Sequence, residues 1–227
     1  MTMIKSLKTA GLILMSVGFA AACFGQSGSD TLYRMNRNYA IQTQLYDLYR
    51  TEKADVVMLG NSITFGVNWN ELMGRTAIVN RGIGSDITYG FLQRMEYVYK
   101  LHPKMCCVMG GINDIYVEIS VERIFENYIT IIEGLRKHSI IPVIQSTLLV
   151  SPKWKKSVER NREVEKLDSL LADYADKNSI EFLNLNAVMS KDHQLRDELT
   201  TDGVHLTAMG YALWRTELEA IFRKHGI

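Results

Sequence analysis

The sequence predicts an α/β protein: a single three-layer αβα domain with helices on both faces of a parallel five-stranded sheet. Three observations predict it. Five short apolar runs recur along the chain. Most are apolar at consecutive rather than alternate positions, the pattern of strands covered on both faces. Between them lie amphipathic stretches with helical spacing, so the order strand–helix–strand repeats.

The elements follow in order. Residues 35–50 read as an opening helix with Ile41, Leu45 and Leu48 on one face. The first strand is expected over residues 55–59 (DVVML) and the second over residues 77–80 (AIVN). Leu92, Met95, Val98 and Tyr99 recur at helical spacing, and residues 105–109 (MCCVM) form the third strand. Ser120 is placed to N-cap a helix carrying Ile124, Tyr128, Ile131 and Leu135 inward. Residues 142–147 (PVIQST) read as the fourth strand, followed by a helix marked by Val164, Leu167, Leu170, Leu171 and Tyr174. Residues 180–185 (IEFLNL) supply the fifth strand, and Tyr211, Trp214, Leu218 and Ile221 mark a last helix. Ligands of such sheets bind beyond the carboxyl ends of the strands, where strand order reverses. The loops after the first three strands and before the last helix are therefore the place to look.

Composition excludes several classes. The 227 residues carry 26 Lys and Arg against 25 Asp and Glu, so the formal net charge is +1. Neither the total nor any basic block supports nucleic-acid binding. The 47% hydrophobic content and three prolines are those of a globular chain, not a disordered one. Residues 1–22 have Lys5 and Lys8, then an apolar stretch from Gly11 to Ala22, the layout of a secretory signal peptide. The stretch is too short to span a bilayer. Cleavage is expected after Ala22, with Gly25 as the second site, leaving a domain over residues 27–227. Cys23 follows three alanines and is a candidate lipid-attachment cysteine, the one route by which a membrane enters this reading. The expected location is periplasmic or secreted, or anchored through Cys23. Cys106 and Cys107 are adjacent and read as two buried thiols, because a bond between neighbours is strained. The five histidines are scattered and no CxxC pair occurs, so no protein-bound metal is expected.

Four loops carry chemistry. Gly60-Asn61-Ser62-Ile63-Thr64 follows the first strand and sets a serine at the mouth of the sheet, as nucleophile or as helix cap. It is not a G-x-S-x-G elbow. Asn80-Arg81-Gly82-Ile83-Gly84-Ser85-Asp86 follows the second strand and can present backbone N–H groups to an anion. Gly110-Gly111-Ile112-Asn113-Asp114 ends the third strand and offers an amide donor. Asp202-Gly203-Val204-His205 precedes the last helix and pairs a histidine with a carboxylate.

In this order the blocks resemble those of the SGNH hydrolases, the GDSL esterase/lipase family, over Val56 to Tyr211. The resemblance implies a flavodoxin-like fold, no cofactor, and serine-esterase chemistry. By it, Ser62 is the nucleophile, His205 the general base and Asp202 its orienting acid. The oxyanion donors are the N–H of Ser62, that of Gly84 or Ser85, and the Asn113 amide. Two departures stand out: Asn61 replaces the usual aspartate before the serine, and Ser85 takes the place of the second block's glycine. The version GNSIT, NRGIGSDIT and GGINDI looks like the acetylhydrolase-like branch. Short loops and the lack of a lid insertion fit a short acyl group, acetyl above all, on a larger alcohol, with carbohydrates as the expected substrates. A lysophospholipase or thioesterase is the alternative within the family, and a non-catalytic surface glycan-binding protein the alternative outside it. Trp154, in Ser151-Pro152-Lys153-Trp154-Lys155-Lys156, is a candidate platform for a sugar ring.

Overall fold

The computed structural model describes residues 29–227; the leader, its two cleavage positions and Cys23 lie outside them. A 3-10 helix (Ser29–Met35) leads into α1 (Arg37–Leu48). Then come β1 (Val56–Gly60), α2 (Ser62–Phe65), α3 (Trp69–Met73), β2 (Ile78–Gly82), α4 (Thr88–Leu92) and α5 (Glu96–Tyr99). The chain continues through β3 (Met105–Met109), α6 (Ile112–Tyr116), α7 (Val121–Lys137), β4 (Ile141–Gln145), α8 (Ser157–Lys177) and β5 (Glu181–Leu183). It ends with α9 (Asn186–Met189), a hairpin of β6 (Ser190–Lys191) and β7 (Gln194–Leu195), and α10 (Ala208–Lys224).

The five predicted strands pair in parallel in the order β2-β1-β3-β4-β5. Every residue of β1 and β3 is buried, which is why their sequences do not alternate. Cys106 and Cys107 are free thiols buried in β3, and burial pushes both thiol pKa values up. In one helical layer α7 packs against α4 and α8; in the other α10 packs against α3 and α9. The register sets Gly60 beside both Gly82 and Met109, so the first three strands end level. Three loops thus leave one edge together, astride the point where strand order reverses.

Two expectations about helices change. The spacing of Leu92, Met95, Val98 and Tyr99 belongs to two short helices, α4 and α5, not one. Between them Arg94 turns fully inward, where a buried guanidinium needs acceptors that a continuous helix face would not give it. In α1, the stripe of Ile41, Leu45 and Leu48 is exposed, and the buried side chain is Tyr46. Its hydroxyl donates to the Gly82 carbonyl at 3.1 Å, and the Arg81 guanidinium sits over its ring at 4.4 Å. A tyrosine carrying both contacts outcompetes three aliphatics for the inner face.

Candidate active site

The predicted site residues converge. Ser62 opens α2, and Asn61 rather than Ser62 is the N-cap, its Oδ1 accepting the Ile63 N–H. As the first helical residue, Ser62 has an N–H with no acceptor within the helix. The helix is pinned by two aromatic side chains from opposite sides of the sequence. Trp69 Nε1 donates to the Thr64 carbonyl at 2.9 Å, and the Tyr211 hydroxyl to the Ile63 carbonyl at 2.8 Å. Gly82 lets α2 come this close, since a Cβ there would lie 2.3 Å from the Phe65 backbone nitrogen.

The loop before α10 brings the histidine to the serine. His205 Nε2 lies 3.0 Å from Ser62 Oγ, and His205 Nδ1 lies 2.6 Å from Asp202 Oδ2. The other Asp202 oxygen accepts the N–H groups of Val204 and His205 at 3.0 and 2.8 Å. Burial raises the Asp202 carboxyl, but the His205 ring and these two N–H groups outweigh it and hold the pKa below the usual value. With Nδ1–H given to a carboxylate, Nε2 is left as an acceptor for the serine hydroxyl.

The other two blocks are held by buried polar contacts. Asn113 Nδ2 gives one N–H to the Asp86 carbonyl at 2.9 Å, which leaves the amide's second N–H over. Asp86 itself is fully buried against Arg94, Nε to Oδ2 at 2.8 Å. Arg94 also donates to the carbonyls of Arg81 and Gly60, at 2.7 and 2.9 Å. One guanidinium therefore ties the ends of β1 and β2 to the second-block loop. Burial pushes the Asp86 carboxyl up to about 6 against the pull of that guanidinium. Asp114 is buried and accepts the Thr88 N–H and hydroxyl at 2.9 and 2.6 Å, joining the third block to the start of α4. Burial raises it to about 7. Gly84 and Ser85 form the turn between β2 and α4, and the N–H groups of both lack a partner among the described residues.

These residues line one crevice of about 490 Å³. Ser62, Gly84, Ser85, Asn113 and His205 face Ile87, Ile112, Tyr116, Val117, Trp154 and Val204, so its walls are largely apolar. Asn38 of α1 also lines it, a residue that sequence reasoning did not single out. Asn36 and Arg94 were likewise missed, the latter because an arginine in a short amphipathic stretch reads as surface, while Asp86 and Asp114 stood at the ends of their blocks with no role assigned. Asp202 supports the site from outside the lining. Among the described residues no cluster of His, Cys, Asp or Glu is arranged to hold a metal ion, and no helix is long and apolar enough to cross a membrane.

Comparison with known proteins gives one consistent picture. The model of the GDSL-like lipase/acylhydrolase family matches residues 58–213. A GDSL-like lipase of Bacteroides thetaiotaomicron is 25% identical, with a TM-score of 0.73 over 83% of this chain and 98% of its own. An acetyl xylan esterase shares the fold at 21% identity and a TM-score of 0.64, over 73% of this chain and 98% of its own. Among curated proteins, an N-acylneuraminate cytidylyltransferase of Streptococcus agalactiae is 25% identical over 178 residues, 78% of this chain. The chain spans only 41% of the length of that relative.

Proposed function

Because the chain belongs to the GDSL-like lipase/acylhydrolase family, a family of ester hydrolases, we propose that it cleaves short-chain acyl esters through an acyl-serine intermediate. The observation that carries this is the continuous bond chain from Asp202 through His205 to Ser62 at the mouth of an apolar crevice. In the first step His205 Nε2 takes the proton of Ser62 as Oγ attacks the ester carbonyl carbon. Asp202 stabilises the resulting imidazolium. The tetrahedral oxyanion is met by the Ser62 N–H, a second-block N–H and the free N–H of Asn113. His205 then gives its proton to the departing alkoxide, and the acyl group stays on Ser62. Water, deprotonated by His205, repeats the attack and releases the acid.

Acetyl esters of carbohydrates are the proposed substrates. A crevice of this volume between short loops has room for a small acyl group and a sugar ring together. Trp154 and Tyr116, with ring centroids 5.8 Å apart, supply an aromatic wall for the ring. The apolar lining also favours a second reading, a longer acyl chain as in a lysophospholipase or thioesterase. The protein is proposed to be exported through residues 1–22.

A panel of acyl esters from acetyl to palmitoyl, with acetylated sugars, tests these readings in wild type and Ser62→Ala protein. Turnover is expected to peak at acetyl and to fall by about 10⁴-fold or more in Ser62→Ala, whose fold stays intact. Unchanged p-nitrophenyl acetate turnover in pure Ser62→Ala protein would sink the nucleophile assignment. A maximum at octanoyl or longer selects the second reading.

A further inference from the structure

Asn36 lies outside the family match, and its one amide makes two contacts of different kinds. Its Oδ1 accepts the Asn38 N–H at 3.0 Å and so caps α1. Its Nδ2 donates to the Gly84 carbonyl at 2.8 Å, 48 residues further along the chain. Asn38 Nδ2 reaches toward the same oxygen at 3.4 Å. The helix that carries this cap is itself fixed to the end of β2, through Tyr46 and the Gly82 carbonyl.

The Gly84 carbonyl and the Ser85 N–H belong to the same peptide unit. That unit is planar and trans, so the two groups point in opposite directions. Holding the oxygen toward α1 therefore fixes the heading of the N–H. Ser85 needs such support, because its φ of 59° is left-handed, a region unfavourable to any residue with a Cβ. A conformation of that kind persists only where the surroundings over-determine it. The rival N–H, that of Gly84, belongs to the preceding peptide, whose carbonyl on Ile83 is already engaged within the turn by the Asp86 N–H at 3.2 Å. The asparagine contact bears on the Ser85 peptide and not on that one.

We infer that Asn36 is a positioning residue for catalysis: through the Gly84 carbonyl it aims the Ser85 N–H at the developing oxyanion, so that the N-cap of α1 belongs to the catalytic apparatus. The inference rests on the esterase reading and adds to it the choice of second-block donor and the group that orients it. It also accounts for the serine at this place in the block, since an external clamp supplies the backbone constraint that a glycine would otherwise relieve.

Asn36→Asp separates the two contacts. Aspartate caps a helix as well as asparagine does, but it has no donor for Gly84 and sets an anionic oxygen against that carbonyl. In p-nitrophenyl acetate hydrolysis kcat is expected to fall about ten- to hundredfold, part of the roughly 10²–10³ that one oxyanion donor supplies. KM should stay within about twofold and Tm within a few degrees. The ¹⁵N order parameter of the Ser85 amide, which needs no turnover, is expected to fall from the rigid-backbone value of about 0.85 in the same variant. Asn36→Ala, which removes cap and clamp together, should lower Tm as well. A kcat within twofold of wild type overturns the inference, as does a kcat loss matched by a Tm loss equal to that of Asn36→Ala. If wild type hydrolyses no ester faster than Ser62→Ala, the esterase reading fails, and an unchanged Ser85 order parameter then overturns the clamp on its own.

Discussion

Arg94 does not line the crevice, yet it touches the carbonyls of Gly60 and Arg81 near the ends of β1 and β2 and the carboxylate that anchors the second block. A cation buried this completely is neutralised by Asp86 and satisfied by backbone oxygens, and each partner depends on the other for its solvation. Replacing one member leaves the other as an unpaired buried charge. Arg94→Met is therefore expected to cost about 3–5 kcal/mol in urea-unfolding free energy. Adding Asp86→Asn to Arg94→Met should recover part of that loss, because the uncompensated carboxylate is then gone. A loss below about 1 kcal/mol for Arg94→Met would mean that the pair is not the strut its geometry describes. The same residue shows why sequence reasoning stops where it does. Ser62 and Asn113 stand just beyond strand ends and His205 in the loop before α10, and all three declare themselves by residue type. Arg94 and Asn36 act through backbone carbonyls distant in sequence and Asp86 through Arg94, and nothing in their neighbours foretells those partners.

The short helices α2, α4 and α6 matter less as helices than as mounts, each carrying one block away from a strand end. In α4, Gly90 faces Asp86: a Cβ built there lies 2.0 Å from Asp86 Oδ1. An alanine in a helix ordinarily stabilises it by about 0.5–1 kcal/mol over glycine. Here Asp86 cannot swing aside without leaving Arg94, so Gly90→Ala should instead destabilise by about 1–3 kcal/mol and lower kcat. Thermal unfolding and ester turnover of the variant check both effects, and a raised Tm would contradict the crowding. At this scale the strands were legible, since burial on both faces writes itself as unbroken apolar runs. Their ends fall within about two residues of expectation, the usual uncertainty of such boundaries. The face of α1 was not legible, because an aliphatic stripe at i, i+4, i+7 says which residues share a side and not which side meets the protein. The hairpin of β6 and β7 was also unread, as two-residue strands leave no periodicity.

Across the whole molecule, three carboxyls lie inside the fold with raised pKa values: Asp86 at about 6, Asp114 at about 7 and Asp168 at about 8. Burial is the first cause in each case, and Asp168 accepts the Thr147 N–H and an Asn186 amide N–H without escaping it. Between the unfolded value of about 4 and these folded values, the native state binds more protons than the unfolded chain. Their contribution is thus greatest below about pH 4 and is lost as the pH rises to about 8. Asp202 has the opposite sign, its share being present above the unfolded value and lost on acidification below it. Denaturant unfolding from pH 4.5 to 8 should show stability declining, and Asp114→Asn should flatten the slope near pH 7. A slope unchanged by that substitution would remove Asp114 from the account.

The bond between Ser62 and His205 joins residues 143 positions apart. The serine leaves the first strand of the sheet and the histidine arrives after the fifth, so no short segment of the chain holds both. Closing so long a loop is slow compared with forming the local helices. A refolding chain is therefore expected to regain its helical signal before its ester turnover, and stopped-flow circular dichroism against activity recovery checks the order. Recovered ester turnover is therefore expected to report a long-range closure of the polypeptide that the helical signal does not see, which would make the proposed catalytic pair a clock for folding.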